Sequence, residues 1–319
     1  MRIGVLNNLR AGRSDSRVAH VLRVLDRHPE VYHLETQSGA AVPGALELMA
    51  KEKVELLVVN GGDGTLQRVL TEILTPKERT WLPLLAPIRG GRTNMTALDL
   101  GAKRRPERGL AGLLRASSAG RIEERIVERP VLRVSIDATT GPHFGMFLGV
   151  GMLYRAIQLT HRMFPPGRAQ GVLGAGIVTG GLLARVVMGR QHEGVLVPDR
   201  IQFRCDDDAP FTKECLLVMA TTLDRLFLGM RPFWGREPAP MRFTAIGGQA
   251  ANLRRNAWGI LRGRPGPGIT HEGGATSRNL RTLEITLDCG AMLDGEMFDP
   301  TPGRVIHVSA HDHLRFVRA

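Results

Sequence analysis

The chain has two hydrophobic textures. Over residues 1–100, short apolar runs alternate with segments whose apolar positions recur every three or four residues. Residues 3–6 predict a strand. Ser14 then stands at a helix N-cap position before a stripe made by Val18, Val21, Leu22 and Leu25. Residues 31–35 predict a second strand, 45–51 a helix, 56–59 a buried strand and 82–86 another. Strands separated by helices of this length pair in parallel through right-handed crossovers, and such sheets bind ligands at the carboxyl ends of their strands. Beyond Val131 the pattern shortens. Segments 131–137, 144–150, 200–205, 211–220 and 282–287 alternate polar and apolar residues between turn signals, which predicts an antiparallel β domain. The fold class is therefore α/β: an N-terminal doubly wound parallel sheet followed by a second, mainly antiparallel β domain.

The sharpest local feature is the stretch Leu56-Leu57-Val58-Val59-Asn60-Gly61-Gly62-Asp63-Gly64-Thr65, followed by Leu66, Val69, Leu70 and Ile73 at helical spacing. It reads as strand, glycine turn and helix. Glycines let a backbone approach phosphate closely, and a helix N-terminus supplies N–H groups and a positive dipole end. Asp63 adds a charge able to hold a magnesium–phosphate complex or an acceptor hydroxyl. The competing reading is a turn whose glycines serve geometry alone, with Asp63 capping the helix. A second glycine turn, Gly90-Gly91-Arg92-Thr93-Asn94, follows the strand at 82–86.

Composition narrows the partners. Among 319 residues, 43 Lys and Arg against 31 Asp and Glu give a net charge of +12. Such a chain is drawn to polyanions. With only two tyrosines, three tryptophans and no recognisable nucleic-acid motif, an anionic membrane surface and nucleotide are expected rather than nucleic acid. Cys205, Cys215 and Cys289 lie far apart without a CxxC pair, which argues against zinc or a disulfide framework and for a reducing cytoplasm. The N-terminus turns polar too early for a signal peptide. The apolar run 171–188 is glycine-rich and broken by Arg185, so it reads as buried or interfacial rather than spanning. Residues 250–262 predict a basic amphipathic helix with Leu253, Ala257, Ile260 and Leu261 on one face and Trp258 beside them. Such a helix either lies in a bilayer interface or packs as an ordinary surface helix. Residues 163–166 are a second apolar loop tip.

Three motifs carry a family resemblance. Gly61-Gly62-Asp63-Gly64-Thr65 resembles the signature shared by diacylglycerol and sphingolipid kinases, NAD kinases and 6-phosphofructokinases. Residues 83–94 with Ala97-Leu98-Asp99-Leu100-Gly101 resemble the lipid-kinase pattern "lgiiPaGTGNdfArsLgi", and Leu293-Asp294-Gly295-Glu296 resembles the Asp-Gly-Glu of bacterial lipid kinases of the diacylglycerol kinase catalytic-domain family. The resemblance implies a nucleotide-binding kinase domain over residues 1–128, to which 305–319 can return, and a β-sandwich lipid-substrate domain over 129–304. It implies ATP and Mg²⁺ as cofactors. Nucleotide contacts are expected from Asn8, Thr36, Gly61, Gly62, Gly64, Thr65, Gly90, Gly91, Arg92, Thr93 and Asn94. It points to Asp294 as the base, with Glu296 nearby and Asp63 as base or magnesium partner; an extended segment would turn Asp294 and Glu296 to one side.

The chain also departs from the pattern. The first turn, residues 7–12, lacks the family's proline, Gly91-Arg92-Thr93-Asn94 replaces the family's Gly-Thr-Gly-Asn, and residues 235–243 lack the Asp-Gly-x-Leu element that holds a structural magnesium in diacylglycerol kinases. The metal site is therefore open. The expected activity is ATP-dependent phosphorylation of the primary hydroxyl of a membrane lipid, diacylglycerol or a ceramide or sphingoid lipid, by a cytoplasmic protein that visits the membrane peripherally. The alternatives are an NAD kinase-like enzyme and an inactive lipid- or nucleotide-binding protein.

Overall fold

The computed structural model describes residues 1–10, 15–76, 80–136, 141–163, 197–247, 253–266, 269 and 274–319. The expectations placed on Gly12, Ser14, residues 164–166 and 171–188 lie outside the described residues. Two compact units emerge: residues 1–131 with 313–319, and residues 132–312.

In the first unit, strands β1 (Ile3–Asn8), β2 (Tyr32–Thr36), β3 (Leu56–Gly61) and β4 (Leu84–Arg89) pair in parallel in the order β4-β3-β1-β2. From the C-terminal stretch, Phe316 pairs in parallel with Leu85. β3 is central, and every one of its residues is buried, which is why its sequence is a continuous apolar run rather than an alternating one. Helices α1 (Asp15–Leu25), α2 (Val42–Lys51), α3 (Asp63–Leu74), α4 (Met95–Asp99) and α5 (Pro106–Ser118) fill the crossovers. Ile3, Val5, Leu56, Val58, Leu84, Ala86 and Ile88 form one core with Val21 and Leu25 of α1 and Leu110, Leu113 and Leu114 of α5. The alternate residues Leu6, Leu57, Val59 and Leu85 are equally buried on the opposite face, and α2 and α3 carry buried Leu46, Met49, Leu66, Val69, Leu70 and Ile73. Each such side chain contributes about 1.5–3 kcal/mol by leaving water. The sheet is thus doubly wound, and its strand ends hold the two glycine turns.

The second unit is mainly antiparallel. Its hub is β9 (Phe211–Thr221), which pairs with β7 (Phe147–Gly151), β8 (Asp199–Cys205) and β10 (Met241–Gly247). β10 also pairs with β11 (Ala275–Leu280), and β8 with β12 (Thr282–Leu287). β12 in turn pairs with residues 304–309 of β15 (Arg304–Val317). β5 (Ile126–Ser135) pairs with β6 (His143–Gly145) through Leu132, Arg133 and Val134. β13 (Ala291–Leu293) joins β7 and forms a hairpin with β14 (Glu296–Phe298). Helix α6 (Met152–Met163) follows β7, and α7 (Leu253–Leu261) lies between β10 and β11. Phe203 sits at the core, edge-on to Phe243 at 5.6 Å and tilted on Phe211 at 5.4 Å. The five segments read as strands from alternation all contain strand. β10, β11, β13, β14 and β15 were not predicted; β13 and β14 have three residues each, and β11 carries Ser, Arg and Asn in its middle.

Candidate active site

β3 delivers its chain into the first glycine turn. Asn60, near its end, is buried beside Asn7 of β1, and Asn60 Nδ2 donates to Asn7 Oδ1 at 2.6 Å. Gly62 is the N-cap of α3 with extended backbone, and Asp63 is the first helical residue. A Cβ at Gly61 would lie 2.6 Å from Thr65 Cβ, so glycine here lets Thr65 fold back over the turn. Thr65 Oγ1 accepts from Asn8 Nδ2 at 2.8 Å, and Asn8 Oδ1 accepts the Arg10 N–H at 3.0 Å. Asn8 therefore ties the end of β1 to the first turn of α3. At the end of β2, Thr36 is 2% exposed, and its hydroxyl has no partner among the described residues. A buried unsatisfied hydroxyl is costly and points to a missing ligand or water.

The second turn leans on the first, backbone to backbone. A Cβ at Gly91 would stand 2.2 Å from Gly62 Cα, and one at Gly90 would stand 2.2 Å from Asn60 Oδ1. Asn94 holds the turn closed: its Oδ1 accepts the Gly91 N–H and its Nδ2 donates to the Gly91 carbonyl, both at 2.7 Å. It does so from a left-handed backbone, φ +52°, at the N-cap of α4, a conformation asparagine tolerates better than most residues. Asn94 thus makes no side-chain cap; that task falls to Asp63. The Asp63 carboxylate accepts the N–H groups of Met95 at 3.1 Å and Thr96 at 3.2 Å. Desolvation pushes Asp63 above the ordinary carboxylate range, opposed by the N–H groups of Met95, Thr96, Asp63 and Asn94. Although the residue as a whole is half-buried, its two oxygens face backbone donors, which makes it a bridge between the turns.

Three of the glycines expected to approach phosphate, Gly61, Gly90 and Gly91, are accounted for by this interlocking. Gly64 in the first turn of α3 and Arg92 are exposed, and Thr93 is half-buried. These residues, with half-buried Gly62 at the start of α3, are solvent-accessible parts of the two turns.

In the second unit, Asp294 and Gly295 form the two-residue loop of the β13–β14 hairpin with φ +49° and +97°. Positive φ at both loop residues is the hairpin-type turn that asparagine or aspartate followed by glycine favours. Asp294 and Gly295 thus build a β-turn, yet the turn does not exhaust Asp294. Asp294 is 5% exposed, its Oδ2 accepts the Met146 N–H at 2.6 Å, and its own N–H donates to the Phe147 carbonyl at 2.9 Å. A Cβ at Gly145 would come within 2.6 Å of that same Oδ2. The expectation that Asp294 and Glu296 share one side of an extended segment fails, because Asp294 is left-handed. Glu296 pairs instead with His143 at 3.5 Å, whose ring sits edge-on to Phe298 at 5.1 Å. Gly145, Met146 and His143 were not singled out in the sequence. Their only signal is a Gly inside a strand pattern, and their partner lies about 150 residues away in the chain.

Other acidic groups have structural work. Asp206 Oδ1 accepts the N–H groups of Arg281 and Thr282 at 2.8 Å each. In the stretch 235–243, Glu237 accepts the Asn279 N–H at 2.9 Å. Among the described residues, no group of three or more His, Cys, Asp and Glu side chains is gathered to hold a metal ion. His311, Asp312 and His313 lie within β15.

Residues 2–122 match the family model described as the diacylglycerol kinase catalytic domain. A search of curated proteins finds no match. Among solved structures, a "putative diacylglycerol kinase" from Bacillus anthracis str. Sterne superposes with TM-score 0.69 at 18% identity, covering 99% of this chain and 96% of that one. A second structure so described, from the same organism, gives 0.66 at 17%, covering 100% and 97%. One described as a diacylglycerol kinase gives 0.62 at 16%, covering 99% and 96%. At such identities the likeness is one of fold, and it extends over both units. Both glycine turns fall inside the matched segment, so residues 2–122, which hold them, are similar to the diacylglycerol kinase catalytic domain.

Proposed function

We propose that the protein transfers the γ-phosphoryl group of ATP to the primary hydroxyl of a membrane lipid, with diacylglycerol or a ceramide or sphingoid lipid as acceptor. The observation that supports this reading most is the pair of interlocked glycine turns at the carboxyl ends of β3 and β4, cross-capped by Asp63, inside the segment that matches the family model.

In the reaction the acceptor oxygen bonds to the γ-phosphorus, the bond to the ADP oxygen breaks, and the hydroxyl proton passes to a base. Catalysis of this kind is mostly positioning and charge stabilisation. The N–H groups at the start of α3, near Gly62 and the exposed Gly64, bind phosphate oxygens, and Arg92 adds a positive charge from the second turn. The orphan hydroxyl of Thr36 is assigned to the nucleotide. Mg²⁺ would arrive with ATP, offsetting charge between the phosphate oxygens. Asp294 takes the proton: its carboxylate is buried, oriented by the Met146 N–H and fixed by a rigid turn. Asp63 is a positioning residue in this scheme, since its oxygens accept backbone N–H groups. Glu296, held by His143, is adjacent in sequence but separately engaged.

The test is transfer of labelled γ-phosphate from Mg-ATP to diacylglycerol, ceramide, a sphingoid base and NAD in mixed micelles, with Asp294→Asn alongside. Labelling of one lipid, reduced about 10²–10⁴-fold in the variant, is expected for loss of a general base. Labelling of NAD alone, or ATP binding without labelling of any acceptor, would contradict the proposal.

A further inference from the structure

The second unit presents two large apolar side chains to solvent close to one junction. Leu228 is 75% exposed and Trp258 is 64% exposed. Leu228 sits at the tip of a short turn closed by the Leu226 N–H donating to the Met230 carbonyl at 2.8 Å. It adopts φ +57°, followed by Gly229 at φ +75°. A β-carbon residue held left-handed is strained, and leucine gains nothing there from local hydrogen bonding. Three residues on, the Arg231 N–H donates to the Leu261 carbonyl at 2.8 Å. This joins the Leu228 turn to the end of α7, one helical turn beyond Trp258.

On α7 the apolar Ile260, 2% exposed, turns inward, and Trp258 stands on the other side. Arg225, Arg231, Arg262 and Arg264 are exposed, and the Arg262 guanidinium lies over the Trp258 ring at 4.4 Å. Among the described residues of the adjoining segments, the acidic side chains Asp224 and Glu237 are engaged by Arg242 and Arg278. Exposed aromatic and aliphatic tips ringed by arginine match an anionic bilayer interface, where indole and guanidinium groups settle at headgroup depth.

From this placement we infer that the Leu226–Met230 turn and the Trp258–Arg264 end of α7 form a docking surface for anionic phospholipid membranes. Leu228 and Trp258 enter the interface and the arginines bind headgroup phosphates. The inference rests on the proposed function in taking the acceptor from a bilayer. It also gives the chain's excess positive charge a local use, each arginine contributing about fivefold in partitioning when close to an anionic surface.

The experiment is co-sedimentation of the full chain with vesicles of phosphatidylcholine alone and of phosphatidylcholine mixed with phosphatidylglycerol. Binding to the anionic vesicles only, weakened by salt, is expected. Leu228→Gly is the discriminating variant, because glycine adopts φ +57° without strain. Its melting temperature should hold or rise while vesicle binding falls severalfold, which a structural role for Leu228 would not produce. Trp258→Ala and the triple Arg231→Ala, Arg262→Ala, Arg264→Ala should also lose binding. Wild-type protein that ignores anionic vesicles, or variants that bind them as wild type does, would overturn the docking surface. Variants that change oligomeric mass in light scattering while binding vesicles normally would assign the patch to a second copy and equally overturn it. Phosphoryl transfer to a short-chain acceptor below its micelle concentration, measured in parallel, separates the two readings. Transfer with unchanged vesicle binding in the variants removes the docking surface alone. Docking lost in the variants, with no transfer by the wild type, removes the kinase reading alone.

Discussion

Gly91→Ala and Gly62→Ala give a paired test of how the glycine turns work. The two residues touch each other, yet their environments are unequal. An added Cβ at Gly91 would stand 2.2 Å from Gly62 Cα, 2.8 Å from Gly62 N and 3.2 Å from Asn94 Oδ1. The two nearest atoms are backbone, so no side-chain rotation relieves the clash and the turns must separate. Forced separation costs about 1–3 kcal/mol, and straining the Gly91 N–H bond to Asn94 adds about 1 kcal/mol. For a unit of this size roughly 3 °C accompanies each kcal/mol, so the melting temperature should fall about 6–12 °C. At Gly62 the added Cβ would meet only Gly91 Cα, at 3.5 Å, from backbone at φ −91° and ψ −178°. That is ordinary contact in an ordinary conformation, and Gly→Ala at a compatible site gains about 0.4–1 kcal/mol through the unfolded chain. Gly62→Ala should therefore melt at or slightly above the wild-type temperature, while its methyl narrows the approach to the first turn of α3 and weakens Mg-ATP binding. Thermal unfolding paired with calorimetric titration of Mg-ATP reads both quantities. Equal destabilisation by the two variants, or a wild-type melting temperature for Gly91→Ala, would refute the interlocked-turn argument. Undiminished ATP affinity in Gly62→Ala would refute the cradle.

Three further outcomes follow from the geometry. Gly145→Ala places a methyl 2.6 Å from Asp294 Oδ2; circular dichroism should show a native fold, with phosphoryl transfer reduced at least tenfold as the carboxylate is displaced. Thr36→Val removes a buried hydroxyl that has no partner among the described residues, so thermal stability should hold or improve while the Kd for ATP rises about two- to tenfold. Burial pushes the Cys205 thiol up to about 11 and those of Cys215 and Cys289 up to about 12, from an ordinary value of 9.0. Folding thus favours the protonated thiols, a stabilisation intact below pH 9 and lost as pH climbs through 11–12. Native protein should resist iodoacetamide at neutral pH and alkylate on unfolding, and its melting temperature should decline above pH 9.

What the sequence disclosed follows the range of the interactions involved. The strand, turn and helix at residues 56–74 are encoded locally by an apolar run, glycines and a helical repeat, and they stand where the pattern put them. The turn at Asp294-Gly295 is equally local. The meaning of individual glycines was not legible, because Gly91 is required by Gly62 and Gly90 by Asn60 on another strand. Asp63 reads as a catalytic carboxylate or as the cap of its own helix; in fact it caps α4, about 30 residues later. Asp294 could be named from a motif, but Met146 and Gly145, which orient it, are related to it only through the pairing of β13 with β7. Within the amphipathic segment at 250–262, Leu253–Leu261 form a helix as periodicity required. Which face turned inward was decided by packing of Ile260, so exposure of Trp258 could not be read from spacing.

The most direct test of the account is the transfer of labelled γ-phosphate from Mg-ATP to a lipid panel by wild type, Asp294→Asn and Gly145→Ala. One labelled lipid class is expected, with loss in both variants and ATP binding retained. Transfer to lipid that persists in Asp294→Asn would contradict the assigned base. ATP binding with no lipid labelled by the wild type would contradict the kinase function itself.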